Sequence, residues 1–108
     1  MDAAARRAGV LLARVFEPTG LPVTFRLWDG SSVHVHGEAP FVLTFRSRKV
    51  FRRLLLRPTP LRFGEAFIDG DIDIDGDIFA AMEIGQRLES TRPSLGVRMA
   101  ALLELVRP

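Results

Sequence analysis

Apolar and polar positions along this chain keep two periods, and the switches between them divide it into elements. Leu11, Leu12, Val15 and Phe16 share one side at helical spacing, which predicts a first helix over residues 2–16 that Asp2 caps. Pro18, Gly20 and Pro22 end it. Val23, Phe25 and Leu27 then alternate with Thr24, Arg26 and Trp28, the period of a strand with one buried face. Asp29-Gly30 marks a turn, and Val33 and Val35 alternate through Ser32 to His36, so the two runs form a hairpin. After the break Gly37 to Pro40, a third strand follows in Phe41, Leu43 and Phe45, set between Val42, Thr44 and Arg46. Three consecutive short strands predict an antiparallel meander whose apolar face the helices cover.

The second half returns to the helical period. Val50, Phe51, Leu54 and Leu55 form an apolar stripe, and Pro58 and Pro60 end that helix of about ten residues. Leu61 to Gly70 is compact and suits a short helix, and Ile72 and Ile74 between Asp71, Asp73 and Asp75 predict a fourth strand with the isoleucines inward. Asp77 starts a helix to about Leu88, where Ile78, Ala81 and Met82 open the apolar stripe and Gly85 weakens it. A last helix over 94–106, beginning at Ser94, carries Leu95, Met99, Leu102, Leu103 and Val106. The expectation is one α+β domain over residues 1–108. It has an antiparallel sheet of about four to five strands with helices packed on one face, the sheet and core occupying 21–90.

Charge changes the picture by its placement. The net charge is only +2, and the basic residues are arginines except Lys49, so the isoelectric point near 10.4 reflects arginine usage and does not support a nucleic-acid partner. Arg46, Arg48, Lys49, Arg52, Arg53, Arg57 and Arg62 form a block without an acid. Glu65, Asp69, Asp71, Asp73, Asp75, Asp77 and Glu83 follow as a block without a base. One reading pairs or solvates the two blocks. The other makes Arg48, Lys49, Arg52, Arg53 and Arg57 the cationic stripe of an amphipathic helix that docks on anionic phospholipid headgroups.

Candidate chemistry is sparse. The chain has no cysteine, which removes thiolate catalysis, disulfides and cysteine-ligated metals and makes a reducing, cytosolic compartment the natural expectation. Its longest apolar runs, Ile78 to Met82 and Met99 to Leu103, are far shorter than a membrane span, and no secretory leader pattern opens the chain. Asp71-Ile72-Asp73-Ile74-Asp75-Gly76 begins like a calcium loop, but the slot of the bidentate glutamate is Met82 and the register fails. His34 and His36 share a strand face without a third histidine or a cysteine, so they read as exposed strand residues and not as a metal site. No nucleophile elbow, dinucleotide fingerprint or phosphate loop is present.

The stretch Gly64-Glu65-Ala66-Phe67-Ile68-Asp69-Gly70, followed by Asp71-Ile72-Asp73-Ile74-Asp75-Gly76-Asp77, resembles a hallmark of the cyclopropane-fatty-acyl-phospholipid synthase family. The matching positions Gly64, Glu65, Ala66, Phe67, Asp69, Gly70 and Gly76 belong to that family's N-terminal domain, and the order of elements agrees over most of residues 20–90. Phe67 replaces a frequent aromatic hydroxyl, and Arg62 stands where glycine is common. The resemblance implies a sterol-carrier-protein-like domain that engages membrane lipid but lacks the Rossmann-like half that binds S-adenosylmethionine. It therefore implies no cofactor and no catalytic residue in this chain.

On that likeness the expected lipid pocket lies between sheet and helices, lined by Phe25, Phe41, Leu43, Phe45, Phe51, Leu54 and Phe67. The same side chains also suit a closed core, and the likeness alone favours a cleft. The expected partners are a phospholipid or fatty acyl chain, the inner face of the cytoplasmic membrane, and a separate S-adenosylmethionine-dependent methyltransferase. Glu65 and Asp69 are expected to cap turns and pair with the arginine block. Two alternatives stay open: a fragment of a whole synthase, and a scaffold module that forms a homodimer through its last helix.

Overall fold

The structure, a computed structural model, describes residues 2–91 and 95–106; Ser94, the expected start of the last helix, and the side chain of Val106 lie outside what it describes. Helix α1 spans Ala3–Phe16 and is capped as its sequence predicts, since the Ala5 amide donates to Asp2 Oδ1 at 2.6 Å. A 3-10 turn over Glu17–Thr19 follows, then strands β1 (Val23–Arg26), β2 (Ser32–Val35) and β3 (Phe41–Phe45). Helix α2 is Arg48–Leu56, helix α3 Pro60–Ile68, strand β4 Ile72–Gly76, helix α4 Ile78–Thr91 and helix α5 Leu95–Val106. The fold is α+β, with four strands and helices packed against the sheet.

The strand order is β2-β1-β3-β4, and this corrects the expected meander. β1 pairs with β2 antiparallel and with β3 in parallel, while β3 pairs with β4 antiparallel, so the sheet is mixed. The reason lies in the side chains. Val23, Thr24 and Phe25 of β1 are all buried and need a neighbour on each side, whereas β2 exposes Ser32 and His34 and suits an edge. The chain reverses at His36 and Gly37, both at positive φ, to pass the start of β1, and His36 Nε2 lies 2.8 Å from the Glu17 carbonyl oxygen.

Cross-strand register sets the two faces. Val33, Phe25, Leu43 and Ile74 stand in one row across the sheet, facing the helices, and the opposite face carries Arg26, Ser32 and His34 to solvent. Over one end of the inner face α2 buries Val50, Phe51, Leu54 and Leu55, the stripe its spacing predicts. Phe45 and Phe51 meet edge-on with centroids 5.5 Å apart, Phe25 stacks on Phe45 at 5.8 Å, and Trp28 covers Phe51 at 5.7 Å. This end of the core is solid.

At the other end α3 and α4 form a pair. Thr59 caps α3 by accepting from the Arg62 amide, with Pro60 at the first turn, and Asp77 caps α4 by accepting from the Phe79 and Ala80 amides. Helix α4 continues through Gly85 to Thr91, beyond the expected end, and Gly85 faces Pro60 of α3, where an added Cβ would make ordinary contact.

Candidate functional site

A cleft of about 350 Å³ lies between α3, α4 and the inner face of the sheet. Phe25, Phe41, Leu43 and Ile74 contribute its sheet side, with Phe16 and Val23 beside them. Pro60, Phe63, Gly64, Phe67 and Ile68 form the α3 wall, and Ile78, Ala81, Met82, Gly85 and Leu88 most of the α4 wall. Among the described residues Gln86 is its one polar lining side chain, so the cleft offers burial for hydrocarbon and almost nothing for a polar substrate to bond. The α3 wall is built by residues at i, i+3, i+4, i+7 and i+8, one face of a helix. Within it Gly64 leaves an opening, since a Cβ there would meet nothing within 4 Å.

Of the seven expected pocket residues, Phe25, Phe41, Leu43 and Phe67 line the cleft. Phe45, Phe51 and Leu54 do not; they are fully buried under α2 in the solid end of the core. The correction follows from α2 lying flat on the Phe45 end of the sheet, where its apolar stripe leaves no gap. Sequence reasoning missed Phe63, Ile68, Ile74, Ile78, Met82 and Leu88. The signal for the first two was present in the spacing from Pro60 to Ile68, where a glycine sits on the apolar face.

The positions that carry the sequence likeness fall on one continuous piece of structure. Gly64, Glu65, buried Ala66 and Phe67 belong to α3, and Asp69 is its C-cap, its amide donating to the Glu65 carbonyl at 2.9 Å. Gly70, at φ 79°, turns the chain into β4. Gly76 ends β4 at φ 109°, where a Cβ would lie 2.5 Å from the Pro40 carbonyl oxygen, the same oxygen that accepts from the Asp77 amide at 3.0 Å. The motif therefore builds the α3 wall and joins it to the sheet edge.

Part of the arginine block is paired with acids. Arg48 pairs with Glu104 at 2.8 Å, Arg53 with Asp71 at 2.8 Å and Arg46 with Asp73 at 3.7 Å. Arg52 is half-buried and also engaged, whereas Lys49 and Arg57 are exposed. None of these cations lines the cleft. Glu65 and Asp69 make no side-chain hydrogen bond or ion pair among the described residues; Asp71 and Asp73 take the pairing expected of them.

Glu104 of α5, only 3% exposed, receives Arg7 of α1 at 2.9 Å as well as Arg48 of α2. Burial alone would raise its pKa, but the hydrogen bonds and charges of the two guanidinium groups outweigh that and hold the carboxyl below its ordinary value. Asp29 is also lowered, through the hydroxyl and amide that Ser31 donates to it. His34 Nδ1 lies 3.1 Å from Thr24 Oγ1, while His36 lies beyond the end of β2 and turns to Glu17. Among the described residues no group of three or more His, Cys, Asp or Glu could hold a metal ion, and no helix is long and apolar enough to cross a membrane.

Fold and site together define an α+β domain with an apolar cleft between a helix pair and a mixed sheet. The chain belongs to the family described as Domain of unknown function (DUF7884), whose match covers residues 10–91. Every lining residue of the cleft, from Phe16 to Leu88, falls inside that match. No curated protein and no solved structure matches the chain.

Proposed function

We propose that this domain holds a phospholipid or fatty acyl chain in the α3–α4 cleft and presents it to a separate S-adenosylmethionine-dependent methyltransferase of the cyclopropane-fatty-acid synthase type. It performs no catalysis itself and works at the cytoplasmic face of the membrane, the source of its lipid. One observation carries this reading: a cleft of about 350 Å³ in a small domain, with apolar walls and a single polar side chain. The likeness of residues 64–77 to the N-terminal domain of those synthases supports it, because those residues build one wall.

Size and energy are consistent with a partly swallowed chain. If a methylene takes about the volume of a water molecule, roughly 30 Å³, the cleft holds on the order of ten. Each contributes about 0.8 kcal/mol on leaving water, about 8 kcal/mol in sum, and ordering costs bring the affinity below the micromolar level that this sum alone would give. A longer membrane acyl chain leaves its ester end outside the mouth, where a second protein can reach it.

The test is a titration with a fluorescent fatty acid, comparing the native chain with Gly64→Leu. The leucine projects into open space, so the variant should fold with unchanged or slightly higher stability and bind the probe at least about tenfold more weakly. Undiminished binding in the variant, or none in the native chain, refutes the reading.

A second reading has its own observation. Helix α5 exposes Leu95, Met99 and Leu102 at i, i+4 and i+7, a stripe that suits a homodimer or scaffold contact. Sedimentation across a wide concentration range separates the two, since acyl binding does not require association.

A further inference from the structure

A second hollow, of about 330 Å³, lies between α1 and α5 and shares no lining residue with the first. On α1, Arg6, Val10 and Arg14 follow at i, i+4 and i+8 with Arg7 and Leu11 beside them, one face of the helix. Helix α5 supplies Leu103 and Glu104 opposite. Val10 and Leu103 are each 57% exposed, so both walls of the groove leave aliphatic surface to water.

The charges of this groove do not balance. Glu104 is the one acid among its described lining residues, and both of its oxygens are taken, Oε2 by Arg7 Nε at 2.9 Å and Oε1 by Arg48 Nη2 at 2.8 Å. Glu104 therefore fixes Arg7 in place without neutralising its neighbours. Arg6 and Arg14 form no ion pair among the described residues, and Arg7 reaches Glu104 through Nε, which leaves its two terminal nitrogens to bond a ligand. Three guanidinium groups against one carboxylate leave two positive charges in excess beside bare hydrocarbon.

We infer that the groove between α1 and α5 binds a single-chain phosphate monoester, its head against the three arginines and its alkyl tail along Val10, Leu11 and Leu103. A phosphate monoester carries about 1.5–2 negative charges near neutrality, which matches the excess, and its oxygens accept from guanidinium forks. Arg6 and Arg14 stand about 12 Å apart along the helix axis. Spread over that length, the volume is about 30 Å² in cross-section, which admits one hydrocarbon chain and not a helix about 10 Å across. The site does not rest on the acyl-holding reading, because Arg6, Arg7 and the whole of α5 lie outside the residues 10–91 that carry the family match.

The experiment follows the backbone amides of the isotopically labelled full chain during titration with monomeric octyl phosphate, octanol, octanoate and inorganic phosphate, and with vesicles of phosphatidylcholine and phosphatidylglycerol. Octyl phosphate is expected to shift amides within 5–14 and 100–104 and to bind there about tenfold more tightly than octanol or inorganic phosphate, several-fold more tightly than octanoate, and less tightly in high salt. Arg6→Gln combined with Arg14→Gln keeps the pair between Arg7 and Glu104 and should weaken that binding at least about fivefold, with fatty-acid affinity at the α3–α4 cleft unchanged. Octanol, octanoate or inorganic phosphate binding as tightly as octyl phosphate, undiminished binding in the double variant, or shifts on α1 and α5 caused by vesicles and not by octyl phosphate would overturn the inference. Octyl phosphate bound at α1 and α5 without fatty acid bound at α3 and α4 supports this site and overturns the acyl-holding reading. Fatty acid bound at α3 and α4 without octyl phosphate at α1 and α5 overturns this site alone.

Discussion

Glu104 shows how a single carboxylate can hold three helices together. It lies on α5 and receives arginines from α1 and α2, each of which keeps part of its guanidinium in water while the carboxylate itself is buried. Removing the charge takes the carboxylate from both cations, so Glu104→Gln is expected to cost about 2–3 kcal/mol in urea denaturation, toward the low end for a buried pair because both arginine side chains are part-exposed. The sign of the pH dependence follows from the lowered pKa. A carboxylate whose folded value lies below its unfolded value stabilises fully above the unfolded value and loses that contribution as the pH falls through the folded one. Unfolding midpoints should therefore be level near neutrality and fall in acid, with a shallower acid limb in Glu104→Gln; equal acid limbs would refute the assignment. Gly76 acts through backbone alone. Both its φ of 109° and the closeness of the Pro40 oxygen exclude a side chain, and Gly76→Ala should cost about 3 kcal/mol or more by the same measurement.

At the scale of elements, what the sequence discloses depends on whether the information is local. The cap at Asp2, the acid at the start of α4, the α2 stripe and the Asp/Ile alternation of β4 were all legible, because period and capping are written within a few residues. Strand order was not. Nothing within Phe41–Phe45 says that it pairs with β1 in parallel, and the decisive facts are the two-sided burial of Val23 to Phe25 and the reversal at His36, both properties of the assembled sheet. The site divides the same way. Phe25, Phe41, Leu43 and Phe67 were expected at a pocket on the family likeness, and apolar spacing does not distinguish a residue facing a gap from one facing another helix. Phe51 and Phe67 look alike in sequence; only the placement of α2 and α3 separates them. Which acids pair with the arginine block was hidden for a related reason, since those that bond Arg48 and Arg53 lie 56 and 18 residues further along.

In the whole molecule, the solid packing and the proposed ligand cleft lie at different ends of one core. Phe25, Phe45, Phe51 and Trp28 form a chain of ring contacts beneath α2, while Phe67 stands at the opposite end with its ring part-exposed at the cleft. A closed core would make every phenylalanine costly to truncate, whereas a core with one open end makes the cost depend on the end. Phe51→Ala removes a fully buried ring and should destabilise by about 3–5 kcal/mol, with fatty-acid affinity, corrected for the unfolded fraction, near that of the native chain. Phe67→Ala removes a ring that is 37% exposed, so its expected cost is smaller, about 1–2 kcal/mol, and its main effect should appear as several-fold weaker fatty-acid binding. Comparable destabilisation by the two substitutions would mean that α3 and α4 close on the sheet in solution and that the cleft is not a ligand site. The opposite assignment, with Phe51 governing affinity and Phe67 stability, would place the lipid beneath α2 after all.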